Sequence, residues 1–205
     1  MDYKDLMQVV CSRRSIRRFT GRRVDRERIE QLVEAASWAP SNHNRQGWKF
    51  IIFEAADEIH ALAERSRRCV EAFLAETRRP ATAQMDELVH FTGAFEYAPV
   101  VILVMHKKSP AVGKAILAQA ASELASGEVL SAAAACQNLL LAAHVMGLGA
   151  CMMTAPLLAG EVWKSLDSLP AGYEPTCLIA LGYPDEAPAP PKRKKLEHIV
   201  EYRNA

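Results

Sequence analysis

Residues 128–146 constrain the fold more than any other stretch of this 205-residue chain. They read as one long helix, and its run VLSAAAACQNLLLAAHVM is apolar on nearly every face. A surface helix keeps a polar face toward water, so a helix like this must be covered all round. That leaves it two places, the centre of the core or an interface between subunits. Gly147 stops it. Gln137 and Asn138 are polar exceptions on this helix, and burying them requires hydrogen-bond partners.

The elements around it are mixed. Residues 3–12 read as a short helix. Asp25 is placed to cap a second helix, in which Ile29, Leu32, Val33 and Ala36 form an apolar face and which Pro40 ends. WKFIIFE (48–54) reads as a buried strand, 56–79 as a charged helix and APVVILVM (98–105) as a second strand. ACMM (150–153) reads as a short strand, 157–167 as helical and PTCLIALGYP (175–184) as a strand ending in a turn. Residues 107–127 show no clear pattern. The tail from Pro184 starts extended because of its prolines and finishes in a short amphipathic piece. With no regular βαβ repeat and no GxGxxG, a doubly wound nucleotide fold is not expected. No linker or repeat interrupts the chain, so residues 1–205 are expected to form one domain.

Half of the residues are apolar, which is enough for a sizeable core. The 25 basic and 24 acidic side chains leave a net charge of +1, arguing against a general nucleic-acid or membrane-surface binder. The exception is local: six of the 11 residues from Arg13 to Arg23 are arginine. The start, MDYKDLMQVV, carries no apolar signal segment, and no run was read as reaching the roughly 18 apolar residues that span a bilayer. Five cysteines (Cys11, Cys69, Cys136, Cys151 and Cys177) with wide spacing and no CxxC suggest neither a disulfide framework nor a zinc site. A cytoplasmic, reducing setting is expected.

Four motifs can carry chemistry. RRSIR (13–17) offers planar guanidinium forks and a hydroxyl, the donors that hold a phosphate monoester. A solvated basic turn paired with Asp25, Glu27 and Glu30 fits the same spacing. APSNHNRQGW (39–48) gathers short polar side chains that can read the donor and acceptor edge of a planar heterocycle, or simply form a polar loop. His43 has no triad partners nearby and reads as a loop histidine. CQNLLLAAHVMGLGACMM (136–153) ends in GLG, where the backbone can approach a neighbour closely. His144 in that stretch reads as a packed or interface histidine. PPKRKKLEHIV (190–200) sets Lys192 to Lys195 after a rigid proline run, suited to closing over a phosphate or to solvation as a tail.

Taken together in this order, RRSIRRF, APSxxNxQ-x-W, QNLLLAA…GLGA and LGYP with a basic tail resemble the FMN-dependent nitroreductase family, from about residue 11 to residue 200. The resemblance implies an α+β fold: a central, mostly antiparallel sheet wrapped by helices, as an intertwined homodimer with FMN in the interface. It implies that 128–146 is the interface helix and that the C-terminal segment wraps the partner, adding a strand to its sheet. By motif, Arg13, Arg14 and Ser15 match phosphate and ribityl contacts, and Arg17 the basic residue beside the flavin's pyrimidine end. Pro40, Ser41, Asn42, Asn44 and Gln46 match the loop reaching the flavin from the other subunit. Met153, Thr154 and Ala155 match the stretch beside its reactive N5 edge, and Lys192 and Arg193 the basic tail on the phosphate. Two departures stand out: Gly47 where the family usually has proline, and Thr154 where many members have glutamate.

The implied activity is electron transfer from NADH or NADPH to a small organic acceptor, such as a nitroaromatic or quinone, by a ping-pong route with no catalytic acid or base. Reductive dehalogenation or flavin degradation on the same site, and a non-enzymatic basic interaction module, are the alternatives. Lid residues are expected within 66–96 and 106–127, with the aromatics Phe73, Phe91 and Phe95 inside the first range and Tyr97 directly after it.

Overall fold

The computed structural model describes residues 2–77, 82–108, 126–167 and 169–203. Its centre is a four-stranded sheet of β1 (Trp48–Phe53), β2 (Val100–Lys107), β3 (Gly149–Met153) and β4 (Tyr173–Gly182). The strand order is β1-β2-β4-β3 and every pairing is antiparallel. Among the described residues six α-helices accompany it: α1 (Tyr3–Ser12), α2 (Arg26–Ser37), α3 (Ala56–Glu76), α4 (Ala83–Thr92), α5 (Gly127–Val145) and α6 (Gly160–Lys164). This is the expected α+β architecture.

Alternation along the central strands builds two cores. Val100, Ile102 and Val104 of β2, with Cys177, Ile179 and Leu181 of β4, face α2 and α5. Val101, Leu103 and Met105, with Leu178 and Ala180, face α3 and the fully buried Trp163 of α6. β2 and β4 are covered on both faces and flanked on both edges, which is why they read as continuous apolar runs. WKFIIFE is expected to be a buried strand, but among the described residues β1 is a sheet edge with only β2 beside it. Only Phe53 in it is fully buried.

Local signals hold with small corrections. Asp25 stands at the N-cap of α2, yet its side chain makes no cap bond; its backbone carbonyl accepts from Arg28 and Ile29 instead. The helical stretch expected at 157–167 is a 3₁₀ turn, Ala155–Leu158, followed by α6. Much of the unpatterned stretch 107–127, and with it much of the expected lid, lies outside the described residues.

α5 packs against α2, β2 and β3. By length and composition alone its 19 residues can cross a bilayer. Its packing in this fold makes it a core helix: Ala132, Ala135, Cys136, Leu139 and Ala143 are completely buried. Asn138 finds the partner its position demanded, since its Nδ2 donates to the Ala35 carbonyl at 3.2 Å in the last turn of α2. Gln137 on the next face is exposed. Replacing Asn138 by alanine leaves that carbonyl only the longer bond from the Trp38 N–H, at 3.4 Å, and should destabilise the protein by about 1 kcal/mol. Denaturant unfolding of N138A reads this directly, and an unchanged midpoint at unchanged slope refutes it.

Among the described residues, the opposite face of α5 has no cover. Leu130 and Val145 are 61% and 67% exposed, and Ala133 and Gln137 lie exposed between them. Among the described residues, the helix expected to be covered all round is covered on one side.

Candidate functional site

The arginine motif leaves α1 as Arg13, the helix C-cap, whose N–H donates to the Val9 carbonyl. Its partner surface is β3. Ser15 forms a parallel bridge with Ala150, and the Ile16 N–H donates to the Ala150 carbonyl at 3.1 Å. Gly149 is what lets the two backbones approach. A Cβ there would sit 2.7 Å from Ile16 Cγ2 and 2.8 Å from its Cβ, inside contact distance. The close approach expected of GLG is therefore with the arginine segment itself.

A cavity of about 410 Å³ opens beside this junction, with Arg13, Arg14, His144, Gly147 and Glu186 on its wall. Arg14 curls over the end of α1, donating from Nη1 to the carbonyls of Cys11 and Arg13 at 2.7 and 2.8 Å. Its Nε is buried without a hydrogen-bond partner. An orphaned guanidinium N–H beside a second arginine fits an anionic ligand such as a phosphate. Arg17 is exposed, with its guanidinium 5.7 Å from the ring centre of Phe91.

Glu186 was not foreseen from the sequence. Its Oε1 accepts from the backbone N–H groups of Arg17 and Arg18, and its Oε2 lies 3.5 Å from the Arg18 guanidinium. The Arg17 N–H, with the other donors, holds this carboxyl below the usual carboxylate range. The tail thereby pins the arginine segment. Burial holds the Cys151 thiol above its ordinary range, against the pull of the Arg17 guanidinium and a hydrogen bond from Ser15. Such a thiol is inert beside the site rather than a nucleophile in it.

The amide-rich loop lies elsewhere. Asn42–Asn44 forms a 3₁₀ turn, and the Asn42 N–H donates to the Ser131 hydroxyl at 3.0 Å, near the N-terminal end of α5. Ser41 Oγ accepts from the Gln46 N–H at 3.0 Å, and Gln46 Nε2 donates to Asn44 Oδ1 at 3.3 Å. His43, Asn44 and Gln46 all have positive φ, at 52°, 52° and 48°. Three non-glycine residues in the left-handed region within four positions store strain, which concentrates at functional loops. Pro40, Asn42, Asn44 and Gln46 are exposed and Ser41 half-buried. Gly47 is anchored, since its carbonyl accepts from the Lys107 N–H at 2.7 Å.

The remaining expected residues divide. Met153 ends β3, but its side chain belongs to the core facing α3, so only its backbone is available to a ligand. Thr154 is exposed and Ala155 half-buried just beyond it. Lys192 and Arg193 are exposed on the extended tail, and the wall of the cavity stops short of them at Pro188. Of the four aromatics, Phe95 is completely buried against Trp163 and Phe91 lies beside Arg17. Phe73 and Tyr97 are exposed.

An antiparallel sheet between helices, with an arginine-serine cradle at one end of a central helix and a strained amide loop at the other, has the layout of a flavin oxidoreductase. The chain belongs to the nitroreductase family, whose model matches residues 10–183. A NADH dehydrogenase of Thermus thermophilus is 28% identical over 97% of this chain and 96% of its own. Among solved structures, a BluB-like flavoprotein of Clostridium difficile 630 superposes with a TM-score of 0.81 at 24% identity, over the whole of both chains. A nitroreductase with bound FMN from Desulfitobacterium hafniense superposes with a TM-score of 0.72 at 22% identity, over 99% of this chain and 100% of its own.

Proposed function

We propose that the protein is an FMN-dependent oxidoreductase that moves electrons from NADH or NADPH to a small organic acceptor. The observation that carries this is the cavity between α1, α5 and β3, where Arg13 flanks the unsatisfied Arg14 Nε. When bound there, FMN supplies the redox chemistry, taking hydride from a nicotinamide and passing electrons on. The chain's own residues bind and orient. Arg13, Arg14 and Ser15 hold the phosphate and ribityl end. Arg17 brings positive charge to the pyrimidine end, where it favours the reduced state over the oxidised one. Asn42, Asn44 and Gln46 supply amide donors and acceptors to the ring edge. The backbone at Met153, with Thr154 and Ala155, lines the reactive edge, and Lys192 and Arg193 close over the phosphate. No side chain is assigned as a general acid or base.

This reading makes the protein a homodimer. The arginine cavity reaches His144, whereas the amide loop touches Ser131. At 1.5 Å per residue these points on α5 are about 20 Å apart. A twofold axis across α5 would bring one chain's loop to its partner's cavity and cover the exposed stripe of both helices. The tail has a matching place. Leu196, Ile199 and Tyr202 are 72%, 60% and 85% exposed. A groove of about 680 Å³ along the sheet edge, lined by Ile29, Val33, Trp48, Phe50 and Ile52, suits such a segment from the partner.

Heat-released flavin from the purified protein should co-migrate with FMN on chromatography, because two arginines and a serine suit a terminal phosphate. An FAD peak, or a colourless protein that cannot be reconstituted, overturns the proposal. Steady-state NAD(P)H oxidation with quinone and nitroaromatic acceptors should give the parallel double-reciprocal lines of a site used alternately by donor and acceptor. Intersecting lines would require both to bind at once.

A further inference from the structure

The arginine cavity contains a group that the phosphate reading leaves unused. His144 stands on its wall with Arg13 and Arg14, and its Nε2 lies 2.6 Å from the Ser12 hydroxyl. The same hydroxyl lies 2.6 Å from the Gln8 carbonyl oxygen. A hydroxyl has one proton to give, and a carbonyl can only accept. Ser12 therefore donates to Gln8 and accepts from His144. That fixes a hydrogen on Nε2 and leaves Nδ1 as the atom that gains or loses a proton.

The surroundings favour that gain. Ser12 is the last residue of α1, and His144 is in the last turn of α5. Helix C-termini present carbonyl oxygens, which stabilise cations and repel anions. An anion settles between two such ends only where cations outweigh them. Arg13 and Arg14 supply two positive charges and Glu186 subtracts one; these are the charged groups on the wall with His144.

We propose that His144, held by Ser12, is a third and pH-dependent cation of the FMN phosphate cradle. The proposal rests on the FMN reading above. Protonation at Nδ1 leaves the bond to Ser12 intact, so the ring gains charge without losing its position. Histidine can change charge in the physiological pH range, and a phosphate dianion beside it favours the charged form. FMN binding near neutral pH therefore takes up a proton at His144.

The test is fluorescence titration of apo-protein with FMN at pH 8.5 and pH 6.5, for wild type, His144→Gln and His144→Ala. Riboflavin, which lacks the phosphate, is titrated in parallel. Glutamine can keep an N–H on Ser12 without the charge. The expected result is that His144→Gln binds FMN within about twofold of wild type at pH 8.5 and about five- to tenfold more weakly at pH 6.5. His144→Ala should be weaker at both. The phosphate's own titration near pH 6 is common to all three proteins, so the wild-type-to-Gln ratio isolates the imidazole. A ratio that does not change with pH, or that changes equally with riboflavin, overturns the proposal. Calorimetry of FMN binding to wild type and His144→Gln at pH 7, in two buffers of different ionisation enthalpy, reads the same proton with the phosphate's own contribution cancelled: greater proton uptake by wild type supports the role and equal uptake refutes it. Wild type that binds no FMN at either pH overturns the FMN reading itself, and this inference with it.

Discussion

Arg13→Ala should weaken FMN binding by about 30- to several-thousand-fold, whereas Arg22→Ala and Arg23→Ala should change it by no more than about fivefold. All three remove one positive charge from the same basic stretch. A diffuse basic patch would lose about 1 kcal/mol or less at each, fading with salt. Arg13 is different in place. It is half-buried on the cavity wall at the end of α1, while Arg23 is exposed. The Arg22 guanidinium lies 4.0 Å from the ring centre of Tyr183, a stacking role outside the cavity. Removing Arg13 takes a charged donor from a phosphate in a partly enclosed site, an effect of about 2–5 kcal/mol. Titration of the three apo-variants with FMN at low and moderate salt decides it. Equal losses across the three would remove the phosphate-site reading of Arg13.

Leu130→Glu combined with Ala133→Glu should convert a dimer to a monomer and lower FMN affinity by about 100-fold or more. Both residues are exposed on the uncovered face of α5, so the substitutions leave each chain's own core intact. Placed face to face across a twofold axis, four carboxylates in an apolar interface would repel one another and carry a desolvation penalty. Seven or more residues separate them along α5 from the Arg13 cavity, which Leu140 and His144 line, so a loss of flavin there would report the loss of the partner's amide loop. Light scattering and FMN titration on the same samples read both effects. A variant that stays dimeric, or a monomer that binds FMN as tightly as wild type, refutes the shared site.

How much could be read in advance differs by element. β2 and β4 are central strands buried on both faces, and their unbroken apolar runs announced them. β1 has the same kind of sequence, but its edge position depends on which strands find each other, and composition does not encode that. The motifs Arg13–Arg17 and Asn42–Gln46 were legible as candidate binding segments because their residue types are matched to particular donors and acceptors. Their separation along α5 was not legible, because it depends on where two distant loops dock on one helix. Glu186 sits in a proline-rich tail that looks like solvent-exposed spacer, and its two backbone donors lie about 170 residues away in sequence. Met153 was placed at the site by motif, but strand alternation turns its side chain into the core. His144 was read as packing, because a lone histidine on an apolar helix usually is. Only the tertiary structure brings Ser12 within hydrogen-bond reach of it.

The sequence by itself determined the helix that must be covered, the two central strands and the chemistry available at Arg13–Arg17 and in the amide loop. These depend on local periodicity and residue type, which short-range sterics and solvation translate directly into structure. The tertiary structure alone decided that the described residues cover one face of α5, that Gly149 admits Ile16 to form the cavity, and that Ser12 and Glu186 position the groups around it. Those outcomes arise from contacts between segments far apart in the chain, and such contacts exist only once packing has selected one arrangement from many that the same local signals allow.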